Sequence, residues 1–231
     1  MKNRNNRLSV MKLGLICLST LLLNGCASWF VPGMGELKRL CELDGGDKIY
    51  KVVHTDGYYD VDNRCGSVCL EELIKSGFEY IEYHETKKQS YFYSAIKEPG
   101  IWRIYKSQRE DPLCKPHLQK EFEDFEDQRL KAFFSSNCLA AKKLDKPQSQ
   151  YWYKNSIDVR FLDNNQEVEF IKEYQSIEDV DTKEVIASTN HYSLVPYKKS
   201  ALSYSASFDC AAAGVNIKFA RFPESILLPN R

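Results

Sequence analysis

The 231 residues contain no nucleophile elbow, no phosphate-cradling glycine loop and no paired-histidine zinc motif. Those absences remove the activities that announce themselves by short spacing patterns. Imidazoles are scarce: the four, His54, His84, His117 and His191, are widely spaced, so any acid–base pairing would have to be made by the fold. No internal repeat or low-complexity stretch is present. There is no charge excess either, with 32 basic and 32 acidic residues. The longest apolar run, Leu13 to Leu23, is eleven residues. A spanning helix needs about 20, so this run is too short to be a permanent transmembrane anchor.

What the chain does have is aromatic mass. Fourteen Tyr and twelve Phe, within a hydrophobic fraction of 43%, are enough for a real core, because buried rings remove much area from water. A mean hydropathy of −0.48 describes a water-soluble body. Residues 1–25 carry Lys2, Arg4, Arg7 and Lys12 and no acid; taking these four from 32 bases leaves 28 against 32 acids, a balance of −4. A mildly acidic body does not suit a phosphate backbone, which is held by clustered Lys and Arg, so nucleic acid is not an expected partner.

The basic residues 1–12 followed by Leu13–Leu23 fit the n- and h-regions of a secretory signal. Leu23-Asn24-Gly25-Cys26 then resembles the lipobox of bacterial lipoproteins: an aliphatic residue at −3, a small one at −1, then Cys. The resemblance implies cleavage before Cys26, diacylglycerylation of its thiol and acylation of the new amine. Two or more chains give stable anchoring where one does not. The alternative is an ordinary signal cut a few residues later, near Ala27. Ala27 also lacks the Asp that retains such proteins at the inner membrane, so in a Gram-negative host the implied address is the outer membrane, facing either the periplasm or the exterior. Residues 26–35 are then a lipidated tether, in which Trp29 and Phe30 could sit at the interface, and residues 36–231 a single α+β globular domain.

With Cys17 removed and Cys26 acylated, Cys41, Cys65, Cys69, Cys114, Cys138 and Cys210 remain. Six cysteines in an oxidising compartment read as disulfides, and spacing leaves about 15 connectivities open. Cys114–Cys138, bracketing a helix, is the first pairing expected; Cys41 with Cys65 or Cys69 is the second. The competing reading is zinc on Cys65-Gly-Ser-Val-Cys69. No second pair with that spacing follows, and only His54 is near, so no metal is expected. Asp60-Val-Asp62 running to Glu71 faintly resembles a calcium loop, but Arg64 takes a ligand position and Cys65 stands where the sharp-turn Gly belongs.

Local patterns give the elements. Glu36 to Leu43 reads as a short helix stopped by Gly45-Gly46, and Lys48 to Val53 as a strand. Ser67 caps a helix closed by Ser76-Gly77. Phe78–Tyr83, Ser90–Ile96 and Ile101–Lys106 form β-rich runs, with Pro99-Gly100 as a turn. Pro116 to about Ser135 places Leu118, Phe122, Phe125 and Phe133 on one stripe, predicting a long amphipathic helix. Its acidic face (Glu121, Glu123, Asp124, Glu126, Asp127) is either solvated or a dock for a basic partner. Gln150–Tyr153, Ile157–Leu162, Glu167–Ser176, Glu184–Leu194 and Val215–Phe219 are strand candidates, with turns at Asp163-Asn-Asn and Asp179-Val-Asp-Thr. The sum is an α+β fold of antiparallel sheet, one long helix and short helices, stapled by disulfides. Tyr91-Phe92-Tyr93 and Tyr151-Trp152-Tyr153 could be sugar platforms. Strand alternation makes core and cross-strand packing the simpler account.

Two segments resemble a group of uncharacterised envelope lipoproteins of Gram-negative bacteria. They are Cys41-Glu-Leu-Asp44-Gly45-Gly46-Asp-Lys48-Ile49-Tyr50-Lys-Val-Val53 and Asp179-Val-Asp-Thr182-Lys-Glu184-Val185-Ile186-Ala187. Together they cover about a tenth of the chain. The resemblance implies the lipoprotein class and no activity, catalytic residue or cofactor. The expectation is a lipid-anchored module that binds or scaffolds an envelope protein or glycan. Two alternatives stay open: an envelope hydrolase using a His and nearby carboxylates, and an exclusion or inhibitor lipoprotein.

Overall fold

A computed structural model describes residues 31–62, 71, 73–86, 96, 98–114, 127–162, 168–196 and 207–230. Several expectations lie outside these residues: the signal and Cys26, Cys65 and Cys69, Tyr91-Phe92-Tyr93, His117, the start of the Pro116 helix and the Asp163-Asn-Asn turn. The chain gathers into two compact units, one built from Met1–Gly45, Asp158–Lys172 and His191–Ile217, the other from Gly46–Ile157, Glu173–Asn190 and Lys218–Arg231.

The larger unit is organised by sheet. In chain order its strands are β1 (Gly46–Ile49), β2 (Val53–Thr55), β3 (Gly57–Asp60), β4 (Tyr80–Glu85), β5 (Gly100–Gln108), β6 (Asn137–Leu144) and the adjoining parts of β7 (Tyr151–Phe161), β8 (Val168–Asp179) and β9 (Glu184–Pro196). The main sheet runs β1-β9-β8-β7-β3-β4-β5-β6. β4, β5 and β6 form an antiparallel meander with Glu82 opposite Arg103 and Ile104 opposite Ala141. The expected run Phe78–Tyr83 overlaps β4 and Ile101–Lys106 falls in β5, whereas Ser90–Ile96 lies, but for Ile96, outside the described residues. The sheet is not all antiparallel. β3 lies parallel to both β4 and β7, and β2 pairs in parallel with β11 (Leu227–Pro229). The reason is the connection. Residues 61–79 separate β3 from β4 and include helix at 71 and 73–76, the length a parallel crossover needs and a hairpin does not.

The predicted long helix is also corrected. The described helix, α2, is Gln128–Ser136, and Asp127 before it is extended at φ −68°, ψ 114°. Its side chain accepts the Arg129 N–H at 2.8 Å, so a fresh N-cap interrupts any run from Pro116. Leu130 and Phe134, four apart, are the buried face. They join Tyr58, Phe78, Ile81, Ile104 and Leu139 in the core. Tyr58 meets Phe78 edge-on at 5.4 Å and Tyr153 at 6.4 Å, the geometry that ring quadrupoles favour.

β6 has a Leu-Ala-Ala-Lys-Lys-Leu composition that favours helix. Eight consecutive pairings with β5 override that preference. Gln150–Tyr153 and Ile157–Leu162 merge into the single strand β7, whereas Val215–Phe219 is not strand. Lys48–Val53 is split. The N–H groups of Tyr50 and Lys51 both reach the Ile186 carbonyl, and Val53 N–H turns to Ile226. The Asp179 turn stands as expected. Its carboxylate accepts from Asp181 and Thr182 N–H at 3.0 and 3.3 Å, and Lys183 closes the turn with φ 64°.

The smaller unit packs α1 (Met34–Asp44) through Leu37 and Cys41 onto Val168, Phe170, Tyr192, Leu194 and Cys210. The strand β10 (Phe208–Asp209) pairs with the end of β9 here. Gly33 opens α1 at φ +89°, where a Cβ would lie 2.4 Å from Leu162 and 2.5 Å from Leu194, so only Gly fits. Cys41 bonds to Cys210, 169 residues away. That overturns the pairing with Cys65 or Cys69. Cys41 faces the core one turn after Leu37, beside the turn that carries Cys210. Cys114 bonds to Cys138 as expected, and the same contact lays residues 113–114 along β6.

Candidate functional site

Two polar constellations in the larger unit gather the side chains able to do chemistry. The first centres on Glu82. Alternation along β4 sends Ile81 and Tyr83 into the core and leaves Glu82 on the opposite side, yet it is fully buried. Arg103, directly opposite on β5, donates to one carboxylate oxygen through Nε at 2.9 Å and through Nη2. The segment after β6 brings the Gln148 and Ser149 N–H groups to the other oxygen at 2.9 and 3.0 Å, with the Ser149 hydroxyl at 2.8 Å. The Arg103 guanidinium stacks on the Tyr80 ring at 3.9 Å. Five donors converge on one carboxylate. The arrangement clamps a loop to two strands.

The second lies where β3, β4 and β7 run side by side. Asp60 is fully buried, in register with Tyr83 on one side and Tyr153 on the other. Burial, with Glu85 nearby, holds the Tyr83 hydroxyl far above its ordinary value. Burial does the same to Tyr153, reinforced by Asp60, Glu173 and Glu224. Asn155 donates from Nδ2 to Glu173 at 2.9 Å, and its N–H meets Asp62 at 2.6 Å. Both phenols therefore stay protonated at neutral pH. They can donate hydrogen bonds but supply no phenolate nucleophile or base. Among the described residues, no group of three or more His, Cys, Asp or Glu is arranged to hold a metal ion.

The residues singled out from sequence are dispersed. Cys41 and Cys210 lie in the smaller unit, and Cys114 and Cys138 in the larger one. His54 is exposed, with Nδ1 3.3 Å from the Pro229 carbonyl, and His84 is exposed on β4. Of the Tyr151-Trp152-Tyr153 triplet, both tyrosines are core. Trp152 lies on the other face, edge-on to Tyr59 at 5.2 Å, with its N–H on the Ser149 carbonyl at 3.1 Å. The triplet is packing, not a stacking platform. Of the faint calcium pair, Asp60 ends β3, and Asp62, in the turn that follows, accepts the Asn155 N–H. In the smaller unit the Tyr192 hydroxyl donates to Asp44 at 3.0 Å, beside Lys172.

Neither Glu82 nor Arg103 belongs to a motif in the sequence, and Asp60 enters only through the faint calcium pattern. The signal was present: one charge set inside each of three aromatic-rich runs, Gly57-Tyr-Tyr-Asp60, Tyr80-Ile-Glu-Tyr83 and Ile101-Trp-Arg-Ile104. A charge in a buried strand requires a partner. Compared with known proteins, the chain matches no protein-family model, no curated protein and no solved structure.

Proposed function

We propose that this protein is a lipid-anchored, extracytoplasmic module that binds or scaffolds another component of the bacterial envelope, protein or glycan, from the outer membrane. The observation that carries the reading is a conjunction: a lipobox-like Cys26 precedes a body closed by Cys41–Cys210 and Cys114–Cys138. Disulfides of this kind persist outside the reducing cytosol, where a signal and acylated Cys would deliver the chain. A binding role is favoured over catalysis by how the titratable groups are used. Glu82 is saturated with donors and the buried phenols are locked in their neutral form.

The test has two parts. Mass spectrometry of the mature N-terminus is expected to find acyl chains on Cys26, and Cys26→Ser to release the protein from the membrane fraction. Cross-linking in cells is expected to capture a specific envelope partner. An unacylated native chain, or no specific partner across growth conditions, counts against the reading.

A further inference from the structure

We propose that the smaller unit docks on the bilayer through the sheet face opposite α1, centred on Val159 and Phe161. The inference rests on the anchoring of Cys26 proposed above and adds the surface with which the body meets the lipid.

The face follows from alternation. On β7, Arg160 reaches Glu36 of α1 and stacks 4.9 Å over Phe170. Its neighbours Val159 and Phe161 therefore project from the other side, where they are 50% and 43% exposed. On β8, Phe170 and Lys172 turn towards α1, packing on Tyr192 and pairing with Asp44, so the half-buried Ile171 belongs to the face of Val159 and Phe161. On β9, Tyr192 and Leu194 enter the α1 cluster, which places the half-buried Val195 there too. Glu169 lies on the same side as a polar rim.

The covalent chain says what covers this face. Phe161 is followed by Leu162, whose side chain lies against Gly33 at the start of α1. Gly33 is seven residues from Cys26. At about 3.3–3.6 Å per extended residue, the Cα of Gly33 cannot be farther than about 25 Å from that of Cys26, and the end of β7 lies one side-chain contact beyond Gly33. Trp29 and Phe30 occupy that short link. A second copy is a poorer occupant: four apolar side chains, two of them half-buried, expose far less than the about 800 Å² per partner of a standard interface. A bilayer needs no such area, because the anchor already supplies a high effective concentration and shallow insertion of an apolar face adds to it.

The experiment places a photo-reactive benzoylphenylalanine at Phe161 in the full acylated chain, illuminated in native membranes and in vesicles of phosphatidylethanolamine and phosphatidylglycerol. The expected product carries the added mass of one phospholipid. A probe at Leu43, exposed on α1, should give a several-fold lower yield. Formation of the Cys41–Cys210 bond, read on non-reducing gels, verifies folding of each variant. Acylated protein that yields only a dimer, only a protein adduct or no adduct overturns the docking face while leaving the anchor intact. Protein without acyl groups at Cys26 overturns the anchor and the docking together.

Discussion

Arg103 and Glu82 stand directly opposite each other on β5 and β4, and the carboxylate that the guanidinium grips is fully buried while the guanidinium is 24% exposed. The pair therefore has one end in the protein interior and one near water. Removing the cation strands the anion. Arg103→Met is expected to cost about 3–5 kcal/mol, the range for breaking a buried pair from one side. Arg103→Lys should recover only part of that, since an ammonium cannot make the forked contact or stack on Tyr80 in the same way. Denaturant unfolding with unchanged slope measures both; equal stability of the Met variant would show that Glu82 is held by Ser149 and Gln148 alone.

The two disulfides should differ in worth. In the chain-entropy account a bridge spanning 169 residues restrains the unfolded chain more than one spanning 24, by about 1–2 kcal/mol out of about 3–5 each. Replacing Cys41 and Cys210 together by Ala should thus lower the melting temperature more than replacing Cys114 and Cys138.

At the acid end, Asp127 and Asp111 should titrate below the ordinary aspartate value of 3.8. For Asp127 the leading cause is the hydrogen bond from Lys75; for Asp111 it is the Ser107 hydroxyl. A depressed folded value means that the stabilisation is complete above the unfolded value and is lost as pH falls through the folded one. Carboxyl NMR titration should show both resonances moving below pH 3.8, and Lys75→Met should return Asp127, but not Asp111, towards the ordinary range.

At the alkaline end the sign reverses. The Tyr83 and Tyr153 hydroxyls are raised from 10.0 by burial. Their contribution is full below pH 10.0 and lost as pH climbs towards the folded values. Ultraviolet titration should find these phenols silent until the protein unfolds. Smooth ionisation of all tyrosines with retained fold would contradict the burial.

Lys183 closes the β8–β9 turn with φ 64°. A left-handed residue with a Cβ costs about 1–2 kcal/mol, part of which Gly returns to chain entropy. Lys183→Gly should raise stability by about 0.5–1 kcal/mol in thermal unfolding.

Much of the fold could be read from local chemistry. The Asp179 turn, the helix stopped at Gly45-Gly46 and the Cys114–Cys138 bridge all depend on neighbours close in sequence. What escaped depends on distant ones. β6 carries helix-forming residues and becomes strand because β5 offers eight partners. The partner of Cys41 is 169 residues away, beyond any spacing argument. β3 is only four residues, too short to show alternation, and its parallel pairing was invisible for that reason. The polar constellations suffered most. Glu82 and Arg103 are 21 residues apart and Ser149 a further 46 beyond Arg103, so no linear motif marks them.

The Cys41–Cys210 bond has one more implication, for turnover. A single proteolytic nick anywhere between those positions yields two fragments that sulfur still holds together. Separating the two would then take a reductant strong enough to reach a pair of which each member is at most 2% exposed.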